Sequence, residues 1–274
     1  MKKFICLLMI MSLAGFVMAH WDEADGHKMH WPQLPDPNGW DVNATFPKVL
    51  ADDWRCSLTG WIWDIHFWGS WKNDYEGTIT SFYLSIHKDI PAGTGGIDYS
   101  RPGDLVWEHE FFPAEFEVIW YGEGTQGWYD PNTQEYIYPD HFNYYQYNIF
   151  LPIELRIPQE FDNIYWLDVS ASVAETDRYW GWKTSMSQHF MDNAVWGDFP
   201  DPFWEPLYDP LQPTESLDLA FVINGDETLP VELSAFTGEY LYNVPTLYWV
   251  TQSETDNLGW YVYRSTENSF ATAD

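Results

Sequence analysis

The stretch Trp61-Ile62-Trp63-Asp64-Ile65-His66-Phe67-Trp68 decides the fold class. Its odd positions are apolar while Asp64 and His66 fall on the opposite face, the period-two pattern of a half-buried strand. Ser81 to His87 repeats it, with Phe82, Leu84 and Ile86 facing one way and Ser81, Tyr83, Ser85 and His87 the other. Working outward, further strands read at 105–111, 116–121, 144–151, 165–173 and 217–223, whereas helical periodicity is hard to find. Between Trp128-Tyr129 and Tyr136-Ile137 lies Asp130-Pro131-Asn132-Thr133-Gln134-Glu135, whose residues pre-set or tolerate turn dihedrals and predict a hairpin. The same segment lacks the ligand spacing and central glycine of an EF-hand loop. Many short strands separated by turn signals predict an all-β chain, an antiparallel, jelly-roll-like β-sandwich.

Composition agrees. The 274 residues include 18 Trp, 18 Tyr and 17 Phe, enough ring surface to build a core, so the chain is not disordered. Its 42 acidic residues against 12 Lys and Arg give a net charge of -30. That charge repels phosphates and anionic headgroups, which disfavours a nucleic-acid or peripheral-membrane partner.

Lys2 and Lys3 precede an apolar run from Phe4 to Val17 and a small-residue cleavage site ending at Ala19. Residues 1–19 thus read as an export signal, the run being too short for the roughly 20 residues of a spanning helix. No later segment is apolar enough to anchor the cleaved chain, so an extracellular or cell-surface location is expected. Cys6 departs with the signal and leaves Cys56 alone, which precludes an internal disulfide and makes core burial the source of stability. Residues 20–50, aperiodic and proline-rich, are expected to form an extended arm over a sandwich at 51–224, with a linker at 225–228.

Two segments carry a resemblance. The first is marked by His27-Lys28-Met29-His30, Pro35-Asp36-Pro37-Asn38-Gly39-Trp40-Asp41-Val42, Asp64-Ile65-His66-Phe67-Trp68-Gly69-Ser70-Trp71, Gly127-Trp128-Tyr129-Asp130-Pro131, Tyr165-Trp166-Leu167-Asp168-Val169 and Gly181-Trp182-Lys183-Thr184-Ser185. Over 27–224 the chain resembles an uncharacterised family of secreted β-sandwich domains of planctomycetes and cloacimonete-like bacteria, which implies a fold and an exported location but no activity. The second is marked by Leu229-Pro230-Val231-Glu232-Leu233, Leu247-Tyr248-Trp249-Val250 and Gly259-Trp260-Tyr261-Val262. Residues 229–274 resemble the start of a fibronectin type III-like module of the kind that precedes type IX secretion sorting domains. The resemblance implies an incomplete immunoglobulin-like sandwich, since about 100 residues make a whole one.

The chemistry-bearing residues admit several readings. Asp64 and His66 share a strand face, and His87 and Asp168 occupy the polar faces of other strands. Convergence of the four would make a metal site or an acid/base pair; a hydrogen-bonded polar layer under the arm is the simpler reading. No cofactor is called for, and a structural calcium held by loop carboxylates such as Asp52 and Asp53 is an open alternative. Cleavage after Ala19 would expose His20 as an N-terminal copper chelate, but no catalytic pattern follows it. Gly-x-Ser-x-Gly, His-Glu-x-x-His and nucleotide-binding fingerprints are lacking. With 42 acids a glycosidase pair is easy to imagine and so carries no signal.

Exposed aromatics would stack on sugar rings, and the candidates are Trp68, Trp71, Trp120, Tyr121, Trp128 and Tyr129. The expectation is a non-enzymatic exported module with a binding or structural role, its partner a polysaccharide or an envelope component. Carbohydrate binding through these rings and glycoside hydrolysis by acidic residues are the alternatives, and nothing in the sequence sets an oligomeric state.

Overall fold

The structure is a computed structural model that describes residues 21–22, 26–186, 190–200, 202–225, 233–241 and 244–251. The export signal with Lys2, Lys3, Ala19 and His20, and the motif at 259–262, lie outside the described residues. Two compact units divide the chain at Gly225/Asp226. Among the described residues there is no helix long and apolar enough to cross a membrane.

Among the described residues fifteen strands follow in chain order: β1 (Trp40–Asn43), β2 (Lys48–Arg55), β3 (Gly60–Trp71), β4 (Ile79–Ile90), β5 (Arg101–Phe111), β6 (Phe116–Asp130), β7 (Glu135–Phe150), β8 (Ile157–Gln159), β9 (Ile164–Val173), β10 (Trp180–Lys183), β11 (Val195–Asp198), β12 (Glu205–Pro206), β13 (Phe221–Gly225), β14 (Leu233–Leu241) and β15 (Val244–Thr251). The all-β expectation holds. In the first unit two sheets stack. One runs β10-β1-β6-β7-β3-β13 with β8 added to β3, and the other runs β12-β11-β2-β9-β4-β5. All strand pairs of both sheets are antiparallel except β1 with β6. In the second unit β14 and β15 form an antiparallel pair.

Inward alternation builds the core. Phe82, Leu84 and Ile86 of β4, Leu167 and Val169 of β9, and Ile65 and Phe67 of β3 are fully buried in one apolar cluster. Their rings meet edge to face: Phe82 lies 5.1 Å from Phe67 and 5.0 Å from Trp180. Such pairs add stabilisation beyond the area they bury. The hairpin expected at 130–135 is present, with Asp130 opposite Glu135 and the Asp130 carboxylate accepting the Asn132 N–H at 3.1 Å.

Two readings are corrected. β3 does not alternate uniformly: Asn224 faces Asp64 while Gly225 faces Ile62, so Trp63 is an extra, bulged residue. The bulge reverses the parity, placing Ile62 in the core and leaving Trp61 and Trp63 exposed. The arm expected over 20–50 is also shorter. Lys28 and Gln33 donate backbone hydrogen bonds to Ile223 and Phe221, but Trp40–Asn43 and the start of β2 are full sheet strands. Val42 supplies the apolar face of β1, and the polar residues beside it meet partners inside the fold.

The first sheet also closes on itself. Gly69 and Ser70 of β3 pair with Trp182 and Gly181 of β10, so β10, β1, β6, β7 and β3 form a ring. Closure requires glycine at 69, where a Cβ would stand 2.4 Å from the Trp180 ring and 2.5 Å from the Gly181 carbonyl oxygen.

Candidate functional site

β6 and β7 are the longest described strands, 15 and 16 residues, and pair as a long ribbon whose 116–120 stretch is an edge of the first sheet, beside β7 and β3. Along one face of β6, Phe116 is buried, Val118 is 44% exposed and Trp120 is 56% exposed, so an inward-type face continues into solvent. Where it leaves the core an open groove of about 570 Å³ forms. Trp71 and Tyr147 line its base, Phe116 and Val118 one wall, and Glu76 to Ile79 the other. Tyr145 donates its hydroxyl hydrogen to the Glu76 carboxylate across the groove. Trp120 stands opposite Tyr145 on the neighbouring strand, and its indole N–H is held by Asn143 at 3.0 Å. The next residue, Tyr121, is bulged out of register, which ends the apolar face there.

Glu117 also belongs to the groove lining, but it alternates with Phe116 and Val118, so its side chain is directed to the opposite face with its cross-strand partner Asn148. The groove therefore presents aromatic side chains and the Glu76 carboxylate, with the Glu175 carboxylate bound to Thr78 at its rim. That arrangement can stack on and hydrogen-bond a polyhydroxylated ligand.

Of the six aromatic residues singled out in the sequence, Trp71 lines the groove but is itself buried in the core, and Trp120 stands exposed nearby, opposite the groove-lining Tyr145. The others are packed. Trp68 is fully buried, with Trp21 of the arm 6.1 Å and Tyr121 5.4 Å away, both edge-on. Trp128 is buried beside Lys72, and Tyr129 is buried against Trp40. Ring alternation alone could not distinguish these, because arm and ribbon cover faces that a lone sandwich would leave open.

Asp64, His66, His87 and Asp168 form two pairs on different sheets rather than one cluster. His66 bonds Asn148 at 2.7 Å and lies 3.4 Å from Asp64 under the arm, where Gln146 also donates to the Trp21 carbonyl at 2.9 Å. His87 lies 3.2 Å from Asp168 and 2.9 Å from the Gly103 carbonyl. Burial works against the charge of His87, but the Asp168 hydrogen bond and charge outweigh it and raise the pKa. Both pairs are polar layers.

Asp52 and Asp53 point to opposite faces of β2. Asp52 accepts from Gln33 at 2.7 Å, Leu219 at 2.6 Å and Asp53 N–H at 2.8 Å. Three donors occupy it, as befits a buried carboxylate. Asp53 is buried with Oδ1 lacking a hydrogen-bond partner. Its pKa is raised well above the ordinary value, first by burial and then by the charges of Asp52, Asp218, Asp192 and Asp89. Among the described residues no group of three or more His, Cys, Asp or Glu is placed to hold a metal ion.

Sequence reasoning missed a fully buried charged cluster. Each strand of the closed ring contributes one residue: Asp41 from β1, Ser70 from β3, Gln126 from β6, His141 from β7 and Lys183 from β10, all fully buried. Asp41 Oδ2 accepts from Lys183 Nζ at 3.0 Å and meets His141 Nε2 at 2.9 Å; His141 Nδ1 meets Asp140 at 2.8 Å. Gln126 accepts from both Lys183 and Ser70. Burial lowers the Lys183 pKa. Burial also opposes charge on His141, yet Asp41 and Asp140 more than offset it and raise its pKa to about 9. No local signal marks it: Lys183 ends Trp180-Gly181-Trp182-Lys183 and reads as an ordinary solvent-facing strand residue.

No curated protein and no solved structure matches the chain. The model of one family does, and it covers residues 29–224, the span that contains both sheets, the ribbon and the ring. The chain thus belongs to the family described as "Domain of unknown function (DUF7901)".

Proposed function

We propose that this chain is an exported, non-enzymatic binding module whose sandwich takes a polysaccharide along the groove between the β6–β7 ribbon and the start of β4. The observation that carries the reading is the open apolar face ending at Trp120, beside a groove that offers the Glu76 carboxylate and the Tyr145 hydroxyl. Flat aromatic faces suit the apolar faces of pyranose rings, and Glu76 with Tyr145 offers the polar contacts that orient one. The export signal read at 1–19 supports a location outside the cell. The likeness to secreted planctomycete and cloacimonete domains, and of 229–274 to a fibronectin type III-like module, supports display at a surface. High acidity then serves solubility there.

Affinity electrophoresis through gels containing soluble cell-wall and plant polysaccharides tests the reading. Retardation by at least one glycan is expected, with Trp120→Ala weakening it about tenfold, the equivalent of about 1.4 kcal/mol. Retardation unchanged in Trp120→Ala, or none across the panel, would reject it.

A further inference from the structure

The lysine and aspartate at the centre of the ring are placed to react with each other. We propose that Lys183 and Asp41 form an intramolecular isopeptide bond, an amide between Nζ and Cγ that covalently locks β10 to β1.

The geometry supplies the reaction's requirements. Asp41 and Lys183 are cross-strand partners, directly opposite in the β1–β10 pair, and their reactive groups are in contact at 3.0 Å. Holding amine and carboxyl together in a rigid sheet converts a slow bimolecular condensation into an intramolecular one. Both side chains are fully buried. Rings flank them: Tyr144 lies 5.1 Å from Lys183 Nζ, and a Cβ on Gly181 would touch both Trp128 and Asp41. Burial works against the Asp41 charge, but Lys183 and His141 outweigh it and hold the carboxylate ionised, so the condensation passes through transfer of one ammonium proton to the carboxylate, which gives the neutral amine and acid it needs.

The two carboxyl oxygens are not equivalent. Oδ2 holds His141 Nε2 at 2.9 Å, whereas Oδ1 is buried without a hydrogen-bond partner. His141, backed by Asp140, donates to Oδ2 and stabilises the negative charge that develops there when Nζ attacks Cγ. The Nζ–Cγ bond forms and the bond from Cγ to Oδ1 breaks. One Nζ proton has already passed to the carboxylate and a second follows onto the departing oxygen, so a single water leaves. Ammonium and carboxylate thereby become one neutral amide, and no oxidant or co-reactant is needed. Gln126, accepting from Nζ, positions the amine.

The link joins positions 142 residues apart and seals the β1–β10 strand pair within the closed ring. It supplies an extracellular domain with a covalent closure that its cysteine content cannot, because Cys56 is free and buried.

Mass spectrometry of protease digests of the full chain, purified folded, decides the matter. The peptides containing Asp41 and Lys183 are expected joined, one water lighter than their sum. Recovery of the two as separate, unmodified peptides would overturn the proposal. Lys183→Arg keeps the charge but cannot form this amide, and a joined species persisting in that variant would also overturn it. On refolding, His141→Gln is expected to slow appearance of the joined peptide at least about tenfold. Appearance at the wild-type rate would remove His141 from the reaction while the mass of the native chain still reports on the bond.

Discussion

Replacing Gly69 with alanine tests ring closure most sharply, because the added methyl group has nowhere to go. Its ideal position is 2.4 Å from the Trp180 ring and 2.5 Å from the carbonyl oxygen of Gly181. The carbonyl belongs to the paired strand and cannot retreat without breaking the β3–β10 pairing. The indole is boxed in by Phe67 at 6.0 Å, Phe82 at 5.0 Å and Tyr147 at 5.4 Å, and its N–H donates to the Tyr147 hydroxyl at 2.9 Å. Overpacking of this kind costs about 1–3 kcal/mol. Displacing the indole so that a buried donor loses its partner adds about 1–3 kcal/mol. A loss of about 4 kcal/mol is therefore expected, a large share of a typical domain's stability. In thermal unfolding followed by near-ultraviolet circular dichroism this corresponds to a fall of about 10 °C for a domain of this size. Trp180→Phe in the same chain makes room for the methyl, so the double variant should be less destabilised than the sum of the singles. A Gly69→Ala protein within about 0.5 kcal/mol of wild type, or strict additivity with Trp180→Phe, would refute the described closure.

Other positions give independent tests. Asp53→Asn removes a buried carboxylate whose folded pKa lies above its unfolded value, so the folded state binds the extra proton and stability falls as pH rises through that raised pKa. The asparagine variant should then gain about 1–2 kcal/mol at pH 8 and lose that advantage toward pH 4 in urea titrations; destabilisation at pH 8 would instead point to a cation held by the carboxylate. Cys56 is buried, its thiol bonds the Leu58 carbonyl at 3.0 Å, and burial pushes its pKa up. Thiol reagents should label it only as fast as the domain unfolds, and rapid labelling of the folded chain would contradict its packing.

Strands whose inward residues are apolar were legible in the sequence, and so was the hairpin turn at 130–135. β4 is the clearest case, since Phe82, Leu84 and Ile86 alternate and all face the core. Legibility failed where alternation and environment part company. At β3 the bulge at Trp63 shifts the parity mid-strand, and no local pattern marks it because residues on both sides of the shift are aromatic or aliphatic. At β1 the inward groups Asp41 and Asn43 are polar and look like solvent-facing residues until partners arrive from strands 87 to 142 residues away. The same long range hides the groove. Trp120 and Trp68 have similar neighbours in sequence, but Trp120 stands on an edge strand of its sheet while the arm covers Trp68.

The most direct test of the binding account is the structure of the domain with an oligosaccharide cut from whichever glycan retards it. The account predicts a sugar ring stacked on Trp120, with the next unit lying in the groove within hydrogen-bonding reach of Glu76. Sugar bound on another face, with Trp120 and the groove left free, would contradict it.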